Sequence, residues 1–232
     1  VYEDAKYYLS FSKDLNAWKK AKDEESYESY SEYLVNFTLL RYNGHNREKA
    51  LERIDSIVGP KWKEIIKENS IISYSNFAQE YSNSSFAELA DEAAWSKAEL
   101  RNRIKYYQRY IDYFAYGKYI KDARSNMIDL EIDNLISKSS GILPEVEAYR
   151  DYSITSSDFK LSITNQTAQK GNKKPMILHV LYTGKASGKF SVPIDKTHEI
   201  IVPDGVYRVV VYVKQKDIDP WIAESWEFKG GY

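Results

Sequence analysis

A chain of 232 residues has room for two ordinary domains, each able to bury a core without disulfides or metals. Its 33 basic and 34 acidic side chains nearly cancel, and neither sign is gathered into a block, which removes nucleic acid and anionic membrane surfaces from the expected partners. The absence of cysteine excludes thiol catalysis, disulfide frameworks and cysteine-based zinc sites together, and no apolar run reaches membrane-spanning length.

Up to Ser139 the chain is rich in Glu, Lys, Ala and Tyr and holds one proline, Pro60, a composition that favours helix. Helices are expected over about 3–22, 26–40, 46–58, 61–68, 71–82, 85–99, 103–116 and 118–137, with Gly59 and Pro60 breaking what would otherwise be one helix. A ladder recurs when Trp18, Trp62 and Trp95 are superimposed. Twelve residues after each comes Tyr30, Tyr74 or Tyr107; fifteen after, Tyr33, Phe77 or Tyr110; sixteen after, Leu34, Ala78 or Ile111; nineteen after, Phe37, Tyr81 or Phe114. These offsets are i, i+3, i+4 and i+7 on a helix, so each copy carries one apolar stripe that must pack on something.

A small turn residue (Gly44, Ser84, Gly117) and a helix alanine (Ala50, Ala90, Ala123) follow each stripe, with four extra residues around Thr38–Arg41 in the first copy. Asn69 and Asn102 are expected as N-caps of the second and third striped helices, with Asp23 near that place in the first. Ala21 and Ala98 lie three residues past their tryptophans, and the middle copy has Ile65 there. Alanines allow neighbouring helices to approach closely while the aromatics fill the space between hairpins. This repetition absorbs most of an excess of 21 tyrosines and 5 tryptophans.

The pattern Trp-x-x-Ala, Tyr-x-x-Tyr-Leu-x-x-Phe, Gly-x-x-x-x-x-Ala resembles divergent bacterial tetratricopeptide-like repeats, most closely over Tyr107–Ala123. The resemblance implies an array of antiparallel helical hairpins over residues 1–140, and a protein that holds other proteins. Such repeats occur in envelope lipoproteins, secretion components and accessory segments of larger signalling proteins.

Beyond the helices the texture changes. Ser139, Ser140, Gly141 and Pro144 read as a helix stop and linker, and five of the six prolines lie from Pro144 onward. Strands are expected over 151–154, 158–165, 176–183, 189–194, 197–202, 206–214 and 222–229, with a hairpin at Pro203-Asp204-Gly205 and another turn at Gly184–Gly188. Tyr207, Val209, Val211 and Val213 share one face and should point inward, opposed by Met176, Leu178, Val180 and Tyr182 or by the alternate residues of that strand. This suggests an immunoglobulin-like antiparallel β-sandwich over 144–232, and a multidomain α and β chain overall.

Chemistry has little to work with. His45 reads as a loop residue, and His179 and His198 lack a carboxylate at short fixed spacing that would make them a metal pair. Asp129, Glu131 and Asp133 read as a solvated surface. Glycan-acceptor triplets start at Asn36, Asn83 and Asn165 and carry little weight. No nucleophile–base set, phosphate loop or cofactor motif is apparent, so no enzyme activity and no cofactor are expected.

Tyr106 and Tyr113 each precede a stripe residue, which turns them about 100° away from the core face, and Tyr116 and Tyr119 follow in the turn. These four are the candidate surface for a protein or peptide partner. Trp221 and Trp226 are the candidates for an alternative, a carbohydrate-binding envelope protein. An accessory segment of a larger signalling protein is the other rival. No signal-peptide pattern opens the chain; a start at Val1 fits the removal of an export segment, and the periplasm or cell surface is expected over the cytoplasm.

Overall fold

The computed structural model describes residues 2–37, 46–137, 141–142, 158–166, 176–203, 205–214 and 221–228. Among these, helices fill the N-terminal part: α1 (Tyr2–Glu24), α2 (Tyr27–Phe37), α3 (Arg47–Glu68), α4 (Ile71–Glu80), α5 (Ser85–Arg101), α6 (Ile104–Tyr113) and α7 (Ile120–Ile136). Strands follow: β1 (Gly141–Ile142), β2 (Asp158–Thr164), β3 (Leu178–Thr183), β4 (Gly188–Val192), β5 (Thr197–Pro203), β6 (Gly205–Tyr212) and β7 (Trp221–Phe228). The expected strand at 151–154, His45 and most of the 138–144 linker lie outside the described residues. The chain divides into two compact units, Val1–Arg101 with Asp112–Lys118 and Asn102–Ile111 with Tyr119–Tyr232.

In the first unit most ladder residues lie in the core. Tyr30, Tyr33, Tyr74 and Phe77 are buried, and so are Ala21, Ala50, Ala90 and Ala98. The two copies share their ring geometry. Trp18 lies 5.8 Å from Tyr30 and 5.4 Å from Tyr33. Trp62 lies 5.9 Å from Tyr74 and 5.2 Å from Phe77. Tilted pairs at such distances suit the aromatic quadrupole.

The joints between helices recur as well. Seven residues after each tryptophan the backbone is left-handed, at Glu25 (φ 45°), Asn69 (φ 47°) and Asn102 (φ 39°). The amides of Glu25 and Asn69 donate to Ala21 O and Ile65 O, both at 3.0 Å, which closes the preceding helix. In the next position, Ser26 Oγ accepts from Ser29 N (3.1 Å) and Ser70 Oγ from Ser73 N (3.0 Å), which opens the following one. The asparagines expected as N-caps thus end a helix instead. Asparagine is among the few residues that tolerate the left-handed region, and after Asn69 it is Ser70 that supplies the cap. Asp23 falls inside α1.

The break expected at Gly59-Pro60 is absent, and α3 runs through both residues. Proline removes one hydrogen bond there. Buried Ile54 and Val58 before it and Trp62 after it, stacked among Tyr74, Phe77 and Phe86, hold both flanks in register.

In the second unit the strands form a five-stranded sheet in the order β1-β7-β6-β3-β4 and a two-stranded sheet of β2 and β5, antiparallel except for the short β1–β7 pair. Tyr207, Val209, Val211 and Val213 point into one core with Leu178, Val180, Val192 and Val202. The alternate residues are buried too. Leu181 and Val210, on the opposite face of the five-stranded sheet, pack on Ile128 and Ile132 of α7. A helix read from the sequence as the end of the helical array therefore covers the sheet.

Two turn expectations part ways. Gly184–Gly188 joins the antiparallel pair β3 and β4 as a hairpin, and a Cβ at Gly184 would fall 2.4 Å from the backbone oxygen of Val206, which leaves no room for a side chain there. Pro203-Asp204-Gly205 is not a hairpin. β5 pairs with β2 while β6 pairs with β3 and β7, so the chain crosses there from one sheet to the other.

Candidate functional site

Hydroxyls and carboxylates of the helical part are spent on the turns. Asp55 of α3 accepts from Ser85 N (2.9 Å), where α5 begins, and Asp91 of α5 accepts from Lys118 N (2.8 Å). In the sequence ladder Ser85 and Lys118 are equivalent, each following its small turn residue, so one helix's carboxylate fixes the next turn. Asp14 of α1, also buried, accepts from Tyr33 Oη (2.6 Å). Burial and then this carboxylate push the Tyr33 hydroxyl up to about 12. Tyr33 also meets Asn46, the residue before α3. In the second unit, Tyr110 Oη accepts from the amide of Tyr119, the residue before α7, at 3.1 Å. The two tyrosines occupy the same ladder position, and the middle copy has Phe77 in their place.

No hydroxyl among these is poised to react. Burial raises Tyr74, and the Glu80 carboxylate followed by burial raises Tyr81, so these phenols stay protonated over the physiological range. His179 Nδ1 lies 2.9 Å from Ser191 Oγ, the nearest approach to a nucleophile–base pair among the described residues. The two are direct cross-strand partners, which accounts for their contact without a catalytic role. Burial and then Lys214 hold His179 below the usual histidine range. His198 stacks on Phe190 (4.3 Å), whose partner Val180 faces the sheet-to-sheet core, whereas His179 shares the α7 face with Leu181. The two histidines therefore lie on opposite faces and cannot share a metal. Among the described residues, no group of three or more His, Asp or Glu could hold one.

The four candidate tyrosines are placed differently. Tyr113 and Tyr116 belong to Asp112–Lys118 of the first unit. Tyr113 O accepts from Ser75 Oγ (2.7 Å), Phe114 is buried, Gly117 N donates to Phe114 O (2.9 Å), and Lys118 pairs with Glu92 (3.3 Å). Between these ties Tyr113 is 38% exposed and Tyr116 fully exposed. Tyr106 and Tyr119 belong to the second unit and are half-buried. Lys105 Nζ sits 5.3 Å over the Tyr106 ring, and the Tyr119 ring lies 6.5 Å from that of Tyr110.

Trp221 and Trp226 lie in β7 opposite Val211 and Tyr207, and their side chains are outside the described residues. Of the glycan-acceptor triplets, the one at Asn165 is closed. Its amide is fully buried and donates to Met176 O and Val192 O, each at 2.8 Å.

Two features are missing from the sequence reading. One is an open cleft of about 680 Å³ in the first unit, between the α2–α3 helices and the turn before α5. The other is the role of the α7 carboxylates, which are not simply solvated. Asp129 and Asp133 both pair with Arg208, and Glu131 pairs with Lys189 at 3.1 Å. At about 100° per residue, Asp129 and Asp133 flank one side of the Ile128–Ile132 stripe and Glu131 the other, so each flank reaches a cation of the sheet. Comparison with protein-family models, curated proteins and solved structures finds no match to this chain.

Proposed function

We propose that the protein is a non-catalytic binding or scaffolding module, in which tetratricopeptide-like helical hairpins present Tyr113 and Tyr116 to a protein or peptide partner and an immunoglobulin-like β-sandwich serves as a second structural element. The hairpin reading is supported by the matched ring distances around Trp18 and Trp62 and by the recurrent left-handed joint. The single observation that carries the functional reading is Tyr116, a fully exposed aromatic on a segment tied down on both sides. Tyr30, Tyr33 and Tyr74 of the ladder are buried, so core packing explains them and leaves Tyr116 unexplained. A tyrosine on a fixed backbone offers large contact area with little entropy left to lose, the property that enriches it at binding hot spots.

The test is affinity capture from the native source with the intact protein and with a Tyr113→Ala/Tyr116→Ala variant. Loss of one or more partners is expected, with binding of a purified partner weakened by about 2 kcal/mol, roughly thirtyfold in Kd. Retention of every partner would sink the reading.

A further inference from the structure

Helix α1 carries apolar residues on two faces. On the inner face Asp14 and Ala21 are buried, Tyr33 and Ser29 of α2 donate to them, and the Trp18 ring meets Tyr30 and Tyr33. At about 100° per residue, Tyr8 and Leu15 lie about 100–120° around the helix from Asp14. They are 68% and 45% exposed, and Leu9 at the margin of the same face is 58% exposed. A helix that buries one face within its own unit is expected to be polar on the other, so packing inside the chain does not account for this outer stripe. The corresponding helix of the next copy shows the contrast. α3 packs against α2, α4 and α5, and its Ile54 and Val58 are buried, whereas the principal neighbour of α1 among the described residues is α2 alone.

We infer that the outer face of α1 pairs antiparallel with α1 of a second copy of this chain, through Tyr8, Ser12 and Leu15. The order of residues along the stripe selects this occupant. In the sequence Asp4 stands four residues before Tyr8, and Lys19 four after Leu15. By helical phase Asp4, Ser12, Leu15 and Lys19 all fall within about 40° of Tyr8. The series therefore runs acid, apolar, small, apolar, base. An antiparallel pair that sets Tyr8 of one copy beside Leu15 of the other also brings each Asp4 to the opposite Lys19, so one patch satisfies itself about a two-fold axis. Parallel pairing would oppose like charges at both ends, which is costly. The stripe is about 22 Å long, a contact suited to a reversible dimer rather than an obligate one. It does not use Tyr113 or Tyr116, so it can fail while the proposed function stands.

Sedimentation equilibrium of the intact protein tests this. A reversible monomer–dimer equilibrium is expected. Tyr8→Asp/Leu15→Asp should leave a monomer at every concentration with its helical circular dichroism retained, since both side chains are exposed. Asp4→Lys opposes Lys19 twice across the two-fold axis and should weaken association about tenfold. Asp4→Lys/Lys19→Asp should restore it, because the exchanged charges meet again; in a parallel pair, or with a different partner helix, the exchange restores nothing. A dimer that survives Tyr8→Asp/Leu15→Asp, or a charge exchange that associates no better than Asp4→Lys, overturns the inference. So does an unaltered protein that stays monomeric up to its solubility limit, which would leave this face to a helix of a different protein.

Discussion

The helical part and the β part bury their apolar surface by different means. In the helices, aromatic rings pack on one another and alanines are buried among the helices, and ring hydroxyls accept from backbone amides at the turns, as Tyr110 does for Tyr119. In the sheets, valines fill the space. β6 buries Val209 and Val211 on one face and Val210 on the other, with no polar atom of those side chains to satisfy. One core material therefore also specifies where turns go, while the other specifies only what must be covered. Covering the second face of the sheet is the work of α7, where paired charges flank the apolar contact.

The largest effect expected from breaking this arrangement is at Ile132, which is fully buried among Ile128, Leu181 and Val210. Ile132→Asp places an unpaired charge there and should cost at least about 3 kcal/mol. Urea unfolding followed by near-ultraviolet circular dichroism would measure it, and a fragment starting at residue 144 should likewise bind a hydrophobic dye through its uncovered Leu181 and Val210. An unperturbed fragment would show that α7 is dispensable to the sheet.

Intermediate effects are expected at the ring hydroxyls. Tyr110→Phe should cost about 1 to 2 kcal/mol by stranding the Tyr119 amide, and chemical denaturation of the variant gives the value. Tyr33 has a pH signature as well. Its hydroxyl is raised from 10.0 to about 12 in the folded protein by burial and Asp14. The unfolded chain therefore ionises first, and the contribution of Tyr33 is intact below pH 10 and lost as the pH rises to about 12. The stability gap between the protein and Tyr33→Phe should shrink across that window; a constant gap would mean that the phenol is not held this way.

The smallest effect is expected at Arg208→Ala. Its pairs with Asp129 and Asp133 are partly exposed, so loss of about 1 kcal/mol or less is expected from thermal melts, diminishing with added salt. A larger loss would mean that charge, rather than Ile128 and Ile132, holds the helix to the sheet.

The same contrast explains what could be read from the residues. The stripes after each tryptophan were legible because a helix repeats its face every three or four residues and the packing partner repeats with it. So was the inward set of β6, which alternates. The partner of its other face was not legible, since β6 reads as an apolar run that any amphipathic surface could cover, and α7 wears the texture of the helices before it. Two of the left-handed joints were visible as asparagines, Asn69 and Asn102, but were assigned the wrong end of the helix, because Asn serves both roles and only Ser70 beside Asn69 distinguishes the two. Tyr113 and Tyr116 could be named from phase alone. The cleft could not, because its walls come from segments about fifty residues apart in the chain, from Leu34 to Ser85.

The recurrent joint at Glu25, Asn69 and Asn102 also bears on how such a chain changes length. Spacing between successive tryptophans differs, 44 residues and then 33, yet the interval from each tryptophan to its joint does not change. Variation lies around Thr38–Arg41 and between the helix alanine and the next tryptophan, Ala50 to Trp62 against Ala90 to Trp95, while the seam between repeats keeps one backbone geometry and the serine cap of the first two copies. A seam of fixed form between segments of variable length is a natural splice point. Residues 70–102 run from just after one such joint to the next, and can be treated as a cassette whose two ends already match.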